Sequence, residues 1–539
     1  MAELRTPPRG VIRPQWDPRW QACAEALTLK GERVELSLVG LLEQADDLLS
    51  LTGATPGETV ALLEYLLALC YASKTHPATP AQWRDWVEEK HPLGQAAVWL
   101  ANRPDGEAWD LFHPTEPLGQ NSLLAPFLDQ RGAGPAQLVI EHAGDYNQFF
   151  DHHHLEHPAP LPVAEAFRAM LSQHVYGVPG RARISGKETL GPTLTNLAAG
   201  RLSSRIRVVA LGATLGETLR LNLVPTAGLP GEFNRSWTTG TQQRRGFRTK
   251  PDGRPVSGPA DLHSYLGRSV LMRPTPQGDC VDRVLMAAGE LLDLQPSLHL
   301  QDAVYALTSV GTKKPLWASA SRAVWRDAHA LYAAVARAGL PGFVNKGMDL
   351  YGRLALFPGP DSPPFPGRPP ARAISLWAVG LVAKQTTAVT WVSGVFPFAP
   401  GLGARLHRAS ERGSLIAEHI ATSLGRAAYA AWGIAYPNPK PADKAGQIAR
   451  FDVRAKHWAA AEEPFNLLLD DTAAGEDVPE SLREYASTLS GAARRFLTEC
   501  LDSLPRNSRG AQAHAAALRR FDDELARPEA PAELRGNTA

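Results

Sequence analysis

Apolar positions along this chain follow two kinds of spacing, and the change between them divides it. Val34-Glu35-Leu36-Ser37-Leu38 alternates as a short strand, while Leu41 to Leu51 and Glu58 to Tyr71 carry helical spacing. The stretch from Thr59 to Leu67 (TVALLEYLL) is apolar nearly all round, which predicts a helix buried inside a domain. From Glu107 to about Pro225, short strand-like and helical pieces alternate with Gly and Pro punctuation, predicting an irregular α/β body. No internal repeat is visible. Residues 374–398, ISLWAVGLVAKQTTAVTWVSGVFPF, form two β-branched-rich arms around a polar tip, Ala383-Lys384-Gln385-Thr386. This pattern predicts a hairpin that holds an ammonium and an amide out on a stiff support.

From Leu402 onward the spacing changes to three and four residues. One run is Leu402, Leu406, Ile416, Ile420, Leu424, Ala427 and Ala431, and another is Leu482, Tyr485, Leu489, Phe496 and Cys500. A third, Ile448, Phe451, Ala455 and Trp458, is interrupted near Pro464, and a fourth is Ala515, Leu518, Phe521 and Leu525. Pro479 with Glu480 marks a helix first turn, and Gly510 lies near the start of the last helix. Four helices with short connections predict a four-helix bundle. The expected fold class is α+β: a large irregular mixed α/β N-terminal domain over 1–400, then a C-terminal four-helix bundle over 401–539.

Composition sharpens this picture without redirecting it. The 539 residues are 44% hydrophobic and 21% charged, enough for more than one core. A net charge of +1 supplies no global field toward nucleic acid or lipid, so such binding must come from local patches. Cys23, Cys70, Cys280 and Cys500 are scattered, with no CxxC pair, which fits a reducing compartment and disfavours a cysteine-ligated zinc site. There is no run of 18 apolar residues, and the N-terminus lacks the apolar core of a signal peptide. A soluble, cytoplasmic protein is expected, with no membrane contact.

Two clusters carry candidate chemistry. Asp151-His152-His153-His154-Leu155-Glu156-His157 gathers imidazoles and carboxylates, and one reading is a metal-dependent hydrolase or nuclease using Asp151, His152, His154 and His157. The other reading is a polar loop whose histidines only hydrogen-bond. No GxxxxGK[ST], GxSxG, HExxH or convincing GxGxxG occurs, so neither a nucleotide site nor a hydrolase nucleophile is indicated. Basic residues cluster as Arg181, Arg183 and Lys187 after a Gly177 to Gly180 turn, and then as Arg201, Arg205 and Arg207. Residues 225–262 read as a long, mobile basic loop carrying Arg235, Arg244, Arg245, Arg248, Lys250 and Arg254. Small residues allow close backbone approach and arginines grip phosphate, a combination that suits nucleic acid as well as a solvated mixed-charge surface.

Several segments, in order, resemble the CasA family, the large subunit of the type I-E CRISPR surveillance complex Cascade. GERVELSLVGLLEQADDLLSL with ETVALLEYLLALCYA is similar to the family's opening strand and helices. Trp109-Asp110-Leu111-Phe112-His113-Pro114 resembles its FDLFHP motif, and Gln148-Phe149-Phe150-Asp151-His152-His153 its LFDH segment. Gly212 to Leu223, GATLGETLRLNL, is similar to its GxNLxETLLLNL stretch and is the most specific of the set. The hairpin and terminal bundle also fall where the family has them.

The resemblance implies a non-enzymatic protein without cofactor or bound metal. Its implied partners are the other Cascade subunits, a guide (CRISPR) RNA, double-stranded target DNA and a helicase-nuclease effector. Phe149, Phe150 and Asp151 would dock at the guide's 5′ handle, a role that replaces the metal reading. Gly177 and Gly180, with Arg181, would approach the minor groove of the short motif beside the target (PAM). Gln385, helped by Lys384, would be the wedge that parts the first base pairs, and Arg244, Arg245, Arg248 and Lys250 would contact DNA. The sequence also departs from the family. The loop that should bring a lysine into the groove, Thr275 to Asp282 (TPQGDCVD), has none, so its role passes to Gln277, to an arginine of the 235–254 loop, or is lost; the LTWQSR segment survives only as Tyr265-Leu266-Gly267-Arg268-Ser269.

Overall fold

The computed structural model describes residues 15–103, 109–142, 159–181, 196–237, 253–294, 299, 305–307, 313–320, 322–332, 350–358, 374–384, 387–438 and 440–535. Strands β1 (Ala24–Thr28), β2 (Arg33–Leu36) and β3 (Leu48–Thr52) form an antiparallel sheet in the order β2-β1-β3. Helix α1 (Leu38–Glu43) lies between β2 and β3, so the single helix expected over Leu41 to Leu51 is split. Leu48 and Leu51 are buried while Leu49 is exposed, and pairing of this segment with β1 overrides its helical spacing. Helix α2 (Pro56–Ala72) is buried continuously from Val60 to Tyr71, as an element apolar all round must be.

Helix α3 (Val163–Tyr176) packs on α2 and leads to the short pair β4 (Gly180–Arg181) and β5 (Asn196–Leu197). Strand β6 (Ile206–Leu211) and helix α4 (Leu215–Asn222) follow. The hairpin β7 (Arg268–Pro274) and β8 (Cys280–Ala288) comes next, with Leu161–Pro162 as its third strand. The predicted hairpin exists as β9 (Ile374–Lys384) and β10 (Thr387–Phe398), in a sheet ordered β10-β9-β6. Central β9 is nearly continuously buried, whereas β10 is an edge strand with Val389 and Val395 exposed.

A short internal repeat does exist, contrary to the sequence reading. Gly53-Ala54-Thr55-Pro56-Gly57-Glu58-Thr59 recurs as Gly212-Ala213-Thr214-Leu215-Gly216-Glu217-Thr218, each time between a strand and a helix. In both, the capping threonine accepts the amide of the glutamate (3.2 Å at Thr55, 3.1 Å at Thr214). The glutamate reaches back to the amide of Ala54 or Ala213, and the last threonine accepts the glycine amide at 3.0 Å. Three amides of each turn are thereby satisfied by side chains of the turn itself.

The chain divides into two compact units, Met1–Ser321 with Asn345–Arg353 and Leu376–Gly394, and Arg322–Val344 with Leu354–Ser375 and Val395–Ala539. The second contains the four expected helices, α5 (Gly403–Ala435), α7 (Arg454–Ala474), α8 (Val478–Leu501) and α9 (Ser508–Leu525), with a short α6 (Lys444–Ala449) between the first two. Helix α5 packs on α7, α8 and α9. Asp477 caps α8 and Asn507 caps α9. Pro464 does not interrupt α7: Phe465 beside it is fully buried, and His457 bonds the Ala417 carbonyl at 3.0 Å, so packing outweighs one lost backbone bond. In α9 the buried face runs Gly510, Ala513, Ala517, Phe521 and Glu524, while Ala515 is exposed; small residues at the contact, rather than the larger Leu518, face α5. The same one-residue shift on α8 puts Leu497 and Leu501 inside in place of Phe496 and Cys500.

Candidate nucleic-acid interface

The two segments nominated for contact with a duplex meet at one cavity. It has a volume of about 520 Å³, and its wall includes Pro179, next to Gly180, and Ala383, next to Lys384. Lys384 ends β9 with an exposed side chain, and Arg181 on β4 is exposed as well. Hairpin position is fixed by β10: the Trp391 indole lies where a Cβ on Gly57 would be, 1.9 Å from that point. Trp391 also meets the edge of Tyr176 at 4.8 Å and donates its Nε1–H to Glu141.

The two nominated glycines differ in what requires them. At Gly177 a Cβ would fall 2.5 Å from the Gln173 carbonyl and 2.6 Å from the Arg268 guanidinium. Its amide donates to Gln173 and its carbonyl accepts from Gly200, so Gly177 is a buried packing residue that closes α3. At Gly180 a Cβ would meet only Leu197, at an ordinary 3.8 Å. Among the described residues nothing demands glycine there, and a glycine allows the close approach of a ligand.

Several arginines read from sequence as nucleic-acid contacts are internal. Arg201 and Arg207 both grip Glu64 in the middle of α2, and His263 approaches the same carboxylate at 2.6 Å. Burial would push the Glu64 carboxyl up, but Arg201, His263 and Arg207 outweigh it and hold it well below the usual range. Arg254 is bound between Asp261 and Glu290. For Asp261, burial is again opposed by bonds from Arg254, Ser257 and Asn234, which bring it down to about 2. Arg268 in the remnant of the LTWQSR segment donates to the carbonyls of Ala198, Gly267 and Val178, and burial lowers it to about 10. Within residues 225–262 the described part includes buried Asn234, Ser236, Trp237 and Asp261, with Asn234 bonded to Asp261.

Other motif residues also act as braces. Asp110 accepts the amides of Trp16 (3.0 Å) and Phe112 (2.9 Å), and buried Trp109 stacks on Phe233. The lysine-free loop is a tight turn of the β7–β8 hairpin, closed by Thr275 N–H to the Cys280 carbonyl and turned by Gly278 at φ +79°, with Gln277 exposed. Gln385, the docking residues Phe149, Phe150 and Asp151, the histidines His152, His154 and His157, and the basic residues Arg183, Lys187, Arg244, Arg245, Arg248 and Lys250 lie outside the described residues. Among the described residues no group of three His, Cys, Asp or Glu could hold a metal ion, and no helix is long and apolar enough to cross a membrane.

Sequence reasoning passed over Trp317, whose indole is 54% exposed on the cavity wall beneath the Arg205 guanidinium, 5.6 Å from the ring centre. A lone tryptophan following Lys313-Lys314-Pro315 was the available signal.

Known folds resemble this one closely. CasA (Cse1) of Thermus thermophilus superposes with a TM-score of 0.71 at 19% identity, covering 95% of this chain and 99% of that one. Cse1 of Thermobifida fusca gives 0.72 at 20% identity, over 97% and 98% of the two chains. A chain of a CRISPR RNA-guided surveillance complex gives 0.68 at 20% identity, over 94% and 100%. No curated protein sequence matches this chain. Residues 25–496 match the family model of CRISPR-associated protein Cse1, and the chain belongs to that family.

Proposed function

We propose that this chain is the large, non-catalytic subunit of a cytoplasmic RNA-guided CRISPR surveillance complex. In this role it recognises a short motif in double-stranded DNA and begins strand separation. The carrying observation is the family match over 25–496, which contains the hairpin β9–β10. A solved relative is a chain of a CRISPR RNA-guided surveillance complex, which supports assembly with guide RNA and the other Cascade subunits. In this reading residues 1–400 dock and recognise, and the bundle over 401–539 helps hold the displaced strand and recruit a helicase-nuclease.

The β4 edge at Gly180 and Arg181 approaches the minor groove, above Gly177 as its packed support. Groove readout there is degenerate, so backbone, guanidinium and amide contacts tolerate related motifs. Lys384 offers an exposed ammonium at the duplex end, and Gln385 enters between the first base pairs. Opening costs roughly 1–2 kcal/mol per step, offset by groove contacts and by guide pairing. Phe149, Phe150 and Asp151 dock at the guide's handle, and Arg244, Arg245, Arg248 and Lys250 bind backbone phosphates.

The test is reconstitution of the complex with and without this chain. Without it, discrimination between motif-bearing and motif-free duplex should disappear; retained discrimination refutes the role. Gln385→Ala should slow strand opening more than it weakens initial duplex binding, and equal losses would reduce Gln385 to a positioning contact.

A further inference from the structure

The cavity between β4 and the hairpin tip combines features that duplex contact does not use. Trp317 presents a half-exposed indole on its wall. The indole is held in place through the backbone, where residue 317 bridges Arg205 and the Ala318 amide donates to the Ser204 carbonyl at 3.0 Å. Ser204 adopts φ +59°, a left-handed conformation uncommon outside glycine, on the same wall. The Arg205 guanidinium rides over the ring, pairing a cation with an aromatic face.

A second cation lines the cavity. Arg201 is buried, with its side chain 1% exposed; one nitrogen reaches Glu64, but Nε and Nη1 have no hydrogen-bond partner among the described residues. The same carboxylate is shared with Arg207 and His263. Glu290 also lines the wall, but its carboxylate is engaged by Arg254. Two guanidiniums, Arg205 and Arg201, thus stand beside an aromatic platform. About 520 Å³ is ample for one nucleotide.

We infer that this cavity takes up one unpaired nucleotide of the DNA, its base stacked on Trp317 and its phosphate held by Arg205 with Arg201 behind it. The inference rests on the proposed strand-opening role and adds to it a receptor for the nucleotide turned out at the first opened step. Extrusion of a base is unfavourable, and stacking on an aromatic side chain offsets part of that cost. A receptor beside the hairpin tip thus makes opening less readily reversible. Either strand could supply the nucleotide, since stacking and phosphate binding are the same for both.

The reconstituted complex can be bound to motif-bearing duplexes that carry one 5-iododeoxyuridine at the first or second opened position of either strand. After irradiation the crosslinked peptide should contain Trp317, and the labelled strand that gives it identifies the source. Trp317→Ala should abolish that crosslink and slow strand opening about tenfold with duplex binding unchanged, and Trp317→Phe should recover most of the rate. Suppose the complex discriminates motif-bearing duplex in a manner that depends on this chain. Then the absence of a Trp317 crosslink from both strands, or an opening rate within about twofold of the parent for Trp317→Ala, overturns the receptor alone. Discrimination that never depended on the chain overturns the functional reading, and the receptor with it.

Discussion

Glu64 in the N-terminal unit and Glu524 in the bundle are both fully buried carboxylates met by several arginines, yet their settings are opposite. Glu64 is sealed: its partners Arg201 and Arg207 have side chains 1% and 2% exposed. The arginines on Glu524, namely Arg426, Arg520 and Arg527, are 41–46% exposed. Desolvating a cation costs several kcal/mol and is recovered only with the partner in place, whereas a half-hydrated arginine can return to water. The N-terminal unit thus seals a charge cluster within its apolar core, while in the bundle the arginines that meet the buried carboxylate keep their access to water.

The largest expected effect breaks or keeps this contrast. Glu64→Ala should cost about 3–5 kcal/mol by stranding two buried guanidiniums, whereas Glu524→Ala should cost about 1 kcal/mol. Denaturant unfolding of the full chain, followed by a probe in each unit, measures both, and equal losses would erase the distinction.

The two glycines sharpen the same contrast between closed and open surroundings. Gly177→Ala has to displace Arg268 or the α3 carbonyl and should cost about 2–3 kcal/mol, while Gly180→Ala should change stability by less than about 0.5 kcal/mol. Thermal unfolding of the two variants side by side decides it; a destabilised Gly180→Ala would mean that β4 is closed as well.

A third effect, about 2 kcal/mol, depends on pH. The carboxyl of Asp261 is depressed from 3.8 to about 2 in the folded chain, so the unfolded chain binds its proton first. Its contribution is complete above about pH 4 and is lost as pH falls toward about 2. Urea midpoints measured across that window should fall more steeply for the parent than for Asp261→Asn. Parallel slopes would show that Arg254 is not stabilised through this carboxylate.

The bundle was legible in the sequence because helical spacing is set by each segment alone. Its errors were of phase, at Ala515 and Phe496, where the closeness of a neighbouring helix decides which residue turns inward. The strand at Leu48 to Thr52 was hidden because its partner β1 comes earlier in the chain and its leucines also satisfy helical spacing. Arginine was the least legible residue. Nothing local separates Arg201 or Arg207, sealed on a glutamate far away in sequence, from Arg181, which is exposed. At the candidate site, the hairpin was readable from pattern, but the strand at Gly180–Arg181, read as part of a turn, and the cavity beside it were not. The cavity depends on Trp317 being brought to β6 by a backbone bridge that no spacing encodes.

The glycine at the start of α2 has a mechanical consequence. With the Trp391 ring seated against Gly57, β10 is clamped at one point, and the strand from there to the tip runs roughly 20 Å at about 3.3 Å per residue. The hairpin is then a short cantilever whose root is set in a helix buried from Val60 to Tyr71. A load applied at Lys384 is borne at Trp391 and α2, so that end of the hairpin resists deflection.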